Sequence, residues 1–217
     1  MIKNILEYLE KLYPDAHCEL TYNKDYELLI AIVLSAQTTD KRVNKVTPIL
    51  FNKYNNLKAL SNASLEDIEE IIKEIGTAKK KSIYIKEIAT SLLQECNGKV
   101  PNNPEYLSTL KGVGRKTINV FLAEYYNVPA IAVDTHVYRV SKRLNLCSEK
   151  DTVKETEEKL MQLIPKAQWI KAHHQFIFFG RYHCKAKKPN CHNCQLCTIC
   201  KFYNKEINSS VENNKKN

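Results

Sequence analysis

Apolar residues recur along this chain at the three- and four-residue spacing of amphipathic helices, while the alternation typical of strands is nearly absent. The segment SLEDIEEIIKEIG shows the pattern clearly, since Ser64 and Asp67 form a capping-box pattern, a stripe of isoleucines follows, and Gly76 closes the segment. We therefore predict an all-α protein. Helices are predicted at about residues 2–12, 25–37, 41–54, 64–76, 79–95, 104–110, 114–126, 135–144 and 151–163.

Three stretches bear on the cellular location of the protein and on which segment is disordered. The longest apolar run, LLIAIVLSA from Leu28, is about half as long as a bilayer span, so we expect a buried helix and no membrane association. The N-terminal segment carries Glu7 and Glu10 and lacks the uninterrupted apolar core of a secretory signal, so we expect a cytoplasmic protein. The tail at 204–217 has almost no apolar residues and is predicted to be disordered.

The net charge of the chain indicates which kind of binding partner to expect. The 217 residues contain 33 Lys and Arg against 24 Asp and Glu, which gives a formal net charge of +9. That excess favours an anionic partner such as nucleic acid. A chain of this length has room for one large domain or two small ones and can bury a core without disulfides.

The segment NNPEYLSTLKGVGRKTINVFLAEYY predicts two helices joined by a tight hairpin at GVG. The two glycines allow positive φ, and the turn would aim backbone N–H groups outward beside a helix N-terminus, where they favour a phosphate oxygen. Lys111, Arg115 and Lys116 add positive charge. An ordinary interhelical turn with solvated lysines also fits the two glycines, and the cluster of charge brings a nucleic-acid contact into consideration.

Two residues near this hairpin suggest chemistry. Lys116 is either a surface phosphate contact or, as a neutral amine, a nucleophile. Asp134 directly precedes a predicted helix, and a lone aspartate in that position is usually an N-cap. A carboxylate near such a lysine also suits the cleavage of a glycosidic bond. Local sequence does not bring the two residues together.

The segment CKAKKPNCHNCQLCTIC holds five of the eight cysteines. In a reducing compartment such a cluster indicates metal binding or catalysis more than disulfides. One set of four, Cys191, Cys194, Cys197 and Cys200, is close to the spacing of ferredoxin cysteines. Zinc is a weaker candidate, because structural zinc sites usually separate two cysteine pairs by a dozen or more residues.

Several of these stretches together resemble one family. LSAQTTD, LKGVGRKTINVFL, IAVDTHVYRV, HHQFIFFGRYHC and the cysteine cluster occur in the order and at the spacings of the endonuclease III family, the bifunctional DNA glycosylases of the helix-hairpin-helix superfamily. The likeness covers about residues 1–203. It implies a two-lobed helical fold, with a six-helix barrel at about 21–130 and a lobe formed by 1–20 and 131–203 around a [4Fe-4S] cluster.

The resemblance also implies an activity. The expected enzyme removes oxidised pyrimidines from DNA in base excision repair and cuts the strand by β-elimination through a lysine Schiff base. Lys116 matches the Schiff-base lysine, Asp134 its partner aspartate, and Gln37 the residue that fills the space left by the extruded base. We expect a monomer on double-stranded DNA with damaged bases or abasic sites, associated with the nucleoid and with no membrane.

The family spacing C-x6-C-x2-C-x5-C selects four ligands and leaves Cys197 spare, so the cluster has two possible sets of four cysteines. With the basic residues of the cysteine loop included, the predicted sites are, for catalysis, Lys116 and Asp134, for DNA contacts, Gln37, Lys111, Gly112, Val113, Gly114, Arg115, Lys185, Lys187 and Lys188, and for the cluster, Cys184, Cys191, Cys194 and Cys200.

The chain departs from the family at two places. Lys111 replaces the usual proline before the hairpin, and Thr77 and Ala78 replace larger side chains that wedge into the duplex, so the wedge residue stays open. The lysine run at 79–81 is either a grip on the DNA backbone or a solvated face.

Two other functions remain as alternatives to the bifunctional glycosylase. A monofunctional glycosylase typically lacks the lysine at 116 and usually has a further C-terminal domain, and a DNA-binding module would not cut DNA.

Overall fold

The computed structural model describes residues 1–204, and no strand occurs within that range. The prediction of an all-α protein is therefore confirmed. The helices are α1 Ile2–Leu12, α2 Asp25–Leu34, α3 Asp40–Lys53, α4 Leu57–Asn62, α5 Leu65–Ile71, α6 Ala78–Glu95, α7 Pro104–Thr109, α8 Arg115–Tyr126, α9 Thr135–Arg143, α10 Val153–Leu163 and α11 Trp169–Phe178. A π-helical turn at Phe179–His183 and three short 3-10 turns, at Lys166–Gln168, Cys191–Asn193 and Cys197–Ile199, complete the order.

Most predicted helices are present, with differences at their ends. The helix predicted at 25–37 ends at Leu34, because Gln37 takes a left-handed φ of 61° that no helix can include. The segment predicted as one helix at 64–76 is helical only to Ile71. Two helices, α4 and α11, were not predicted. Helix α11 is buried around most of its surface and so shows no one-sided apolar stripe.

The chain divides into two compact units. One is Cys18–Val128, and the other joins Met1–His17 to the chain from Pro129 onward. The six-helix barrel and the cluster lobe implied by the resemblance stay predictions about these units. The predicted disordered tail lies outside the described residues except for Asn204, whose N–H donates to Cys200 O at 3.1 Å in a final helical turn.

Helix α2 is the centre of the unit at 18–128. Nine of its ten residues are buried, and it packs against α3, α6 and α8. The predicted buried helix at LLIAIVLSA is therefore confirmed. None of the helices built from residues 1–204 combines the length and apolar character needed to cross a bilayer. Because α2 is surrounded, it provides the fixed element from which the following loop, with Gln37, extends.

The other unit is built around α9 and α11. Helix α9 buries Val137 and Val140, and α11 buries Phe176, with α1 and α10 packed at their sides. Helix α1 contributes a stripe of Ile5, Tyr8 and Leu9 to the same core, which is the arrangement expected of an amphipathic N-terminal helix. This core carries Asp134 at one end of α9 and the cysteine loop after α11.

Candidate functional site

The hairpin between α7 and α8 needs glycine at its first position. Gly112 has a φ of +80°, and a β-carbon added there would lie 2.4 Å from Cδ2 of Tyr84. Both the backbone conformation and the packing of the Tyr84 ring therefore require glycine. Val113, predicted as a DNA contact, has its side chain in the core, and its N–H donates to Leu110 O at 3.1 Å.

Gly114 differs from Gly112. Its φ is −95°, and a β-carbon added there would meet nothing within 4 Å. Positive φ, allowed by the sequence at both glycines, is thus adopted at Gly112 alone. Gly114 is the N-cap of α8 and, as a glycine, has no side chain that could cap this helix start. The first turn, with exposed Arg115 and Lys116, therefore presents backbone N–H groups and positive charge on the surface.

Lys111 has a partner within the protein. Its ammonium lies 2.7 Å from Oε1 of Glu87 in an exposed ion pair, and this hydrogen bond raises the pKa of Lys111. An exposed pair of this kind contributes little to stability, typically below about 1 kcal/mol. Lys111 can therefore exchange Glu87 for a phosphate at small cost.

The loop after α2 lies beside the loop before α6. Gln37 is exposed and has a φ of 61°, while Thr77, the N-cap of α6, has a φ of 60°. A β-carbon added at Gly76 would lie 3.9 Å from Gln37 O, so the two loops lie close together. Fold packing thus brings the predicted gap-filling residue next to the predicted wedge segment.

The lysine run at 79–81 does not act as one surface. Lys79 and Lys80 are exposed, but Lys81 is only 4% exposed. The suggestion that all three lysines lie on a DNA grip or a solvated face is therefore wrong for Lys81. Its ammonium instead donates to the backbone carbonyls of Leu34 and Ala36.

Asp134 caps α9. Its Oδ1 accepts hydrogen bonds from the backbone N–H groups of His136 and Val137, both at 2.8 Å. The position-based interpretation as an N-cap is therefore confirmed. Because both bonds use one oxygen, they hold the carboxylate in one orientation and leave Oδ2 outside the cap.

Helix α9 is fixed against the π-helical turn at 179–183. Nη2 of Arg139 donates to Gly180 O at 2.7 Å, and a β-carbon at Gly180 would lie 2.8 Å from Cβ of His136. Glycine at 180 is therefore needed for the close approach. Nη2 of Arg139 also lies 3.3 Å from Nδ1 of His136, and burial lowers the pKa of His136.

One turn further along α9, Arg143 holds the start of the cysteine loop. Its Nη1 donates to Lys185 O at 2.7 Å and to Sγ of Cys184 at 3.3 Å, and its Nη2 donates to Ala186 O at 3.1 Å. The guanidinium also stacks over Phe202, 4.1 Å from the ring centroid. Arg139 and Arg143 were not identified from the sequence, although their i, i+4 spacing could have indicated a shared contact face.

All five cysteines of the loop line one cavity together with apolar side chains such as Leu144, Phe179 and Phe202. The cavity is small, with a volume of about 20 Å³. Burial raises the pKa of the Cys194 thiol to about 11, and the negative charge of the neighbouring Cys184, Cys200 and Cys191 adds to the effect. Thiolates gathered in such a space require a bound cation to balance their charge.

A cluster and a single ion require different arrangements of the cysteines. Between residues 1 and 204, no three side chains of His, Cys, Asp or Glu are arranged to hold one metal ion. A tetrahedral zinc would need its sulfurs about 3.8 Å apart, given Zn–S bonds of about 2.3 Å. In a [4Fe-4S] cluster each thiolate binds its own iron, so the ligands surround a cavity. Cysteines that line one cavity can serve as such ligands, so the residues present fit a cluster.

The three lysines of the cysteine loop are exposed. Lys185, Lys187 and Lys188 follow Cys184 directly, and Lys188 has a φ of 51°. The predicted site residues thus fall into two groups. The hairpin residues, Lys116 and Gln37 belong to the unit at 18–128, and Asp134 belongs with the cysteines and the loop lysines to the other unit.

Comparison with known proteins identifies the family to which the chain belongs. Residues 30–166 match the HhH-GPD superfamily of base excision DNA repair proteins. The chain is 44% identical to endonuclease III of Bacillus subtilis (strain 168) over 200 residues, which cover 92% of this chain and 91% of that protein. It is 43% identical to endonuclease III of Haemophilus influenzae, with coverage of 93% and 95%.

Solved structures agree. A structure of a trapped covalent intermediate of endonuclease III with DNA, an estranged-adenine complex, superposes with a TM-score of 0.92 at 48% identity, covering 95% of this chain and 97% of that chain. A thermostable thymine-DNA glycosylase, at 24% identity, shares the fold with a TM-score of 0.83. The chain therefore belongs to the HhH-GPD superfamily and, within it, to the endonuclease III family of base excision repair DNA glycosylases.

Proposed function

We propose that this DNA glycosylase excises oxidised pyrimidines and then cuts the strand by β-elimination, with Lys116 as the Schiff-base residue. The observation that carries the proposal is the exposed amine of Lys116 in the first turn of α8, in a chain 48% identical to an endonuclease III trapped covalently on DNA. A nucleophilic amine needs access to the sugar, and an exposed lysine at an uncapped helix start has it.

The reaction proceeds in three steps. The damaged nucleotide is extruded from the duplex, at a cost of a few kcal/mol that is smaller for a poorly paired lesion. The neutral amine of Lys116 then forms a bond to C1′, and the glycosidic bond breaks as the base leaves with its electron pair and gains a proton. The C1′–O4′ bond then breaks, O4′ gains a proton and the amine nitrogen loses one, so the sugar ring opens to an imine. This imine acidifies the 2′ hydrogen. Loss of that proton expels the 3′ phosphate and cuts the strand.

Asp134 is proposed to assist the departure of the base and the proton transfers. Its support is the cap geometry, in which two backbone N–H groups fix Oδ1 and leave Oδ2 outside the cap. A carboxylate held in one orientation does not have to be ordered when the substrate binds.

DNA binding is proposed to use both the hairpin and the cysteine loop. The N–H groups of the first turn of α8 and the side chains of Lys111 and Arg115 would contact phosphates, together with Lys185, Lys187 and Lys188. Gln37 would fill the space of the extruded base, and the residue that wedges into the duplex stays open. We propose a monomer that works on chromosomal DNA in the cytoplasm, associated with the nucleoid.

A [4Fe-4S] cluster is the proposed cofactor, held by Cys184, Cys191, Cys194 and Cys200. When bound, it would supply structural fixation of the loop rather than reaction chemistry. The rival set replaces Cys184 with Cys197, which lines the same cavity. We expect Cys184→Ser to lose most bound iron and Cys197→Ser to keep it, because Cys184 is the thiol that Arg143 holds in place. The iron content and visible absorbance of the two purified variants measure how much cluster each retains. Iron loss in Cys197→Ser and retention in Cys184→Ser would favour the rival set.

Borohydride trapping tests the main proposal. Wild type and Lys116→Ala are incubated with a duplex containing thymine glycol and reduced with borohydride, which converts an imine to a stable amine. We expect a covalent adduct in the wild type and none in Lys116→Ala. If folded, iron-loaded wild type binds the duplex but forms no adduct even at an abasic site, the lyase assignment fails. A monofunctional glycosylase or a DNA-binding module then takes its place.

A further inference from the structure

Lys81 is a buried lysine in α6 that the proposed reaction does not use. Its side chain is 4% exposed. Its ammonium donates to Leu34 O at 2.9 Å and to Ala36 O at 2.6 Å. Burial lowers the pKa of this ammonium. Because a buried cation is costly unless hydrogen bonds offset the lost hydration, these two carbonyls account for its position.

The two carbonyls belong to the end of α2 and to the loop that follows. Leu34 is the last residue of α2, where carbonyls lack partners inside the helix and the helix dipole favours a cation. Ala36 immediately precedes Gln37, whose φ of 61° is unfavourable for a residue other than glycine. Lys81 therefore caps α2 and fixes the backbone beside Gln37 in a conformation that the loop alone would not favour.

The backbone of Lys81 fixes a second loop. Its N–H donates to Thr77 O at 3.0 Å, in the first turn of α6. The loop at Gly76 and Thr77 runs close to Gln37, since a β-carbon added at Gly76 would be 3.9 Å from Gln37 O. Lys81 thus connects two loops. Its side chain binds the loop that carries Gln37, and its main chain binds the loop that carries Thr77.

We propose that Lys81 is a positioning residue for extrusion of the damaged base. It holds the loop with Gln37 and the loop with Thr77 in one arrangement, so that both enter the duplex together. A loop that is already ordered pays no further ordering entropy when it displaces a base. This role rests on the proposed function, because it acts through Gln37.

The experiment uses Lys81→Met and a matched control on the same helix. Lys86 also lies on α6, and its ammonium donates to Ala63 O at 2.8 Å, at the C-cap of α4. Lys86→Met removes the same kind of lysine-to-carbonyl bond away from the two loops. Base release from a thymine glycol duplex is measured in single turnover at saturating enzyme. We expect a loss of about tenfold or more for Lys81→Met and less than about twofold for Lys86→Met.

A double-mutant cycle separates positioning from a general loss of structure. If Lys81 acts through Gln37, the double variant Lys81→Met with Gln37→Ala is no more than about twofold slower than Gln37→Ala alone. A 2-aminopurine opposite the lesion should also brighten less on binding of Lys81→Met than of wild type. Rates of Lys81→Met within twofold of wild type, or losses that multiply in the double variant, would overturn the proposal.

Two further measurements keep the result interpretable. If Lys81→Met is unfolded at the assay temperature, the cycle is run with Lys81→Gln, which keeps a shorter N–H donor and is expected to show a smaller loss with the same non-additivity. Borohydride trapping is run in parallel on a single-stranded abasic oligonucleotide, which has no gap to fill, and Lys81→Met should trap as wild type does. No adduct in the wild type refutes the proposed function, whereas normal excision by Lys81→Met refutes the role of Lys81 alone.

Discussion

Helices α8 and α9 begin in opposite ways. At the start of α8, Gly114 offers no side-chain cap, and the first turn is surrounded by lysine and arginine. At the start of α9, Asp134 satisfies two backbone N–H groups with one carboxylate oxygen. An open helix start can accept an external anion, whereas a capped one has already bound its own. The comparison suggests that α8 meets the phosphate backbone while α9 orients a carboxylate.

The largest effect is expected at Asp134, where one substitution distinguishes its role as the N-cap of α9 from its proposed role in base excision. Asp134→Asn keeps an oxygen acceptor, so we expect the free energy of unfolding to change by less than about 0.5 kcal/mol. Loss of the negative charge should slow base excision by about 10²- to 10³-fold. Denaturant unfolding and single-turnover excision measure the two quantities.

Asp134→Ala serves as the reference for that variant. It removes the cap as well and should lower the free energy of unfolding by about 1 kcal/mol beyond Asp134→Asn. Full excision activity in Asp134→Asn would reduce Asp134 to a structural cap and break the comparison.

The next largest effect is a difference in the free energy of unfolding between alanine variants of the two hairpin glycines. Gly112→Ala should lower the free energy of unfolding by about 2 kcal/mol or more, because φ is +80° and the methyl group would strike Tyr84. Gly114→Ala should lower it by less, about 0.5 to 1 kcal/mol, because its β-carbon meets open space and alanine is only a poorer N-cap than glycine. Urea unfolding of the two variants tests this difference.

Gly114→Ala should instead weaken duplex binding about tenfold, equivalent to about 1.4 kcal/mol, because its methyl group occupies the approach to the open helix start. Fluorescence anisotropy with a labelled abasic duplex measures this affinity. Unchanged affinity would mean that the DNA backbone does not approach α8 at Gly114.

The smallest effect concerns the loop that α9 anchors. Lys185→Ala should reduce the slope of log binding constant against log salt by about 1, since it removes one phosphate contact. Lys154→Ala, an exposed lysine on α10 that lies within 3.8 Å of Glu158, should leave the slope unchanged. Binding titrations at several salt concentrations measure both slopes, and equal slopes for the two variants would place Lys185 away from DNA.

The fold was predictable wherever one face of a helix is buried. Ser64 marks the start of α5 and Asp134 the start of α9, because the signal of a capping residue is local. Helix α11 was missed because burial on most sides removes periodicity. The early end of α2 was missed because it depends on Lys81, a residue distant in the chain whose ammonium donates to Leu34 O and Ala36 O just before the left-handed Gln37.

The sequence by itself determined the helical class, the hairpin between two helices, the family and the candidate lysine, aspartate and cysteines, because these depend on local spacing and short motifs. Only the tertiary structure decided which charges reach the surface. It buried Lys81 against the end of α2, paired Lys111 with Glu87, and gathered five thiols around one cavity held by Arg143. Burial and hydrogen bonding depend on residues distant in the chain, and no local pattern encodes them.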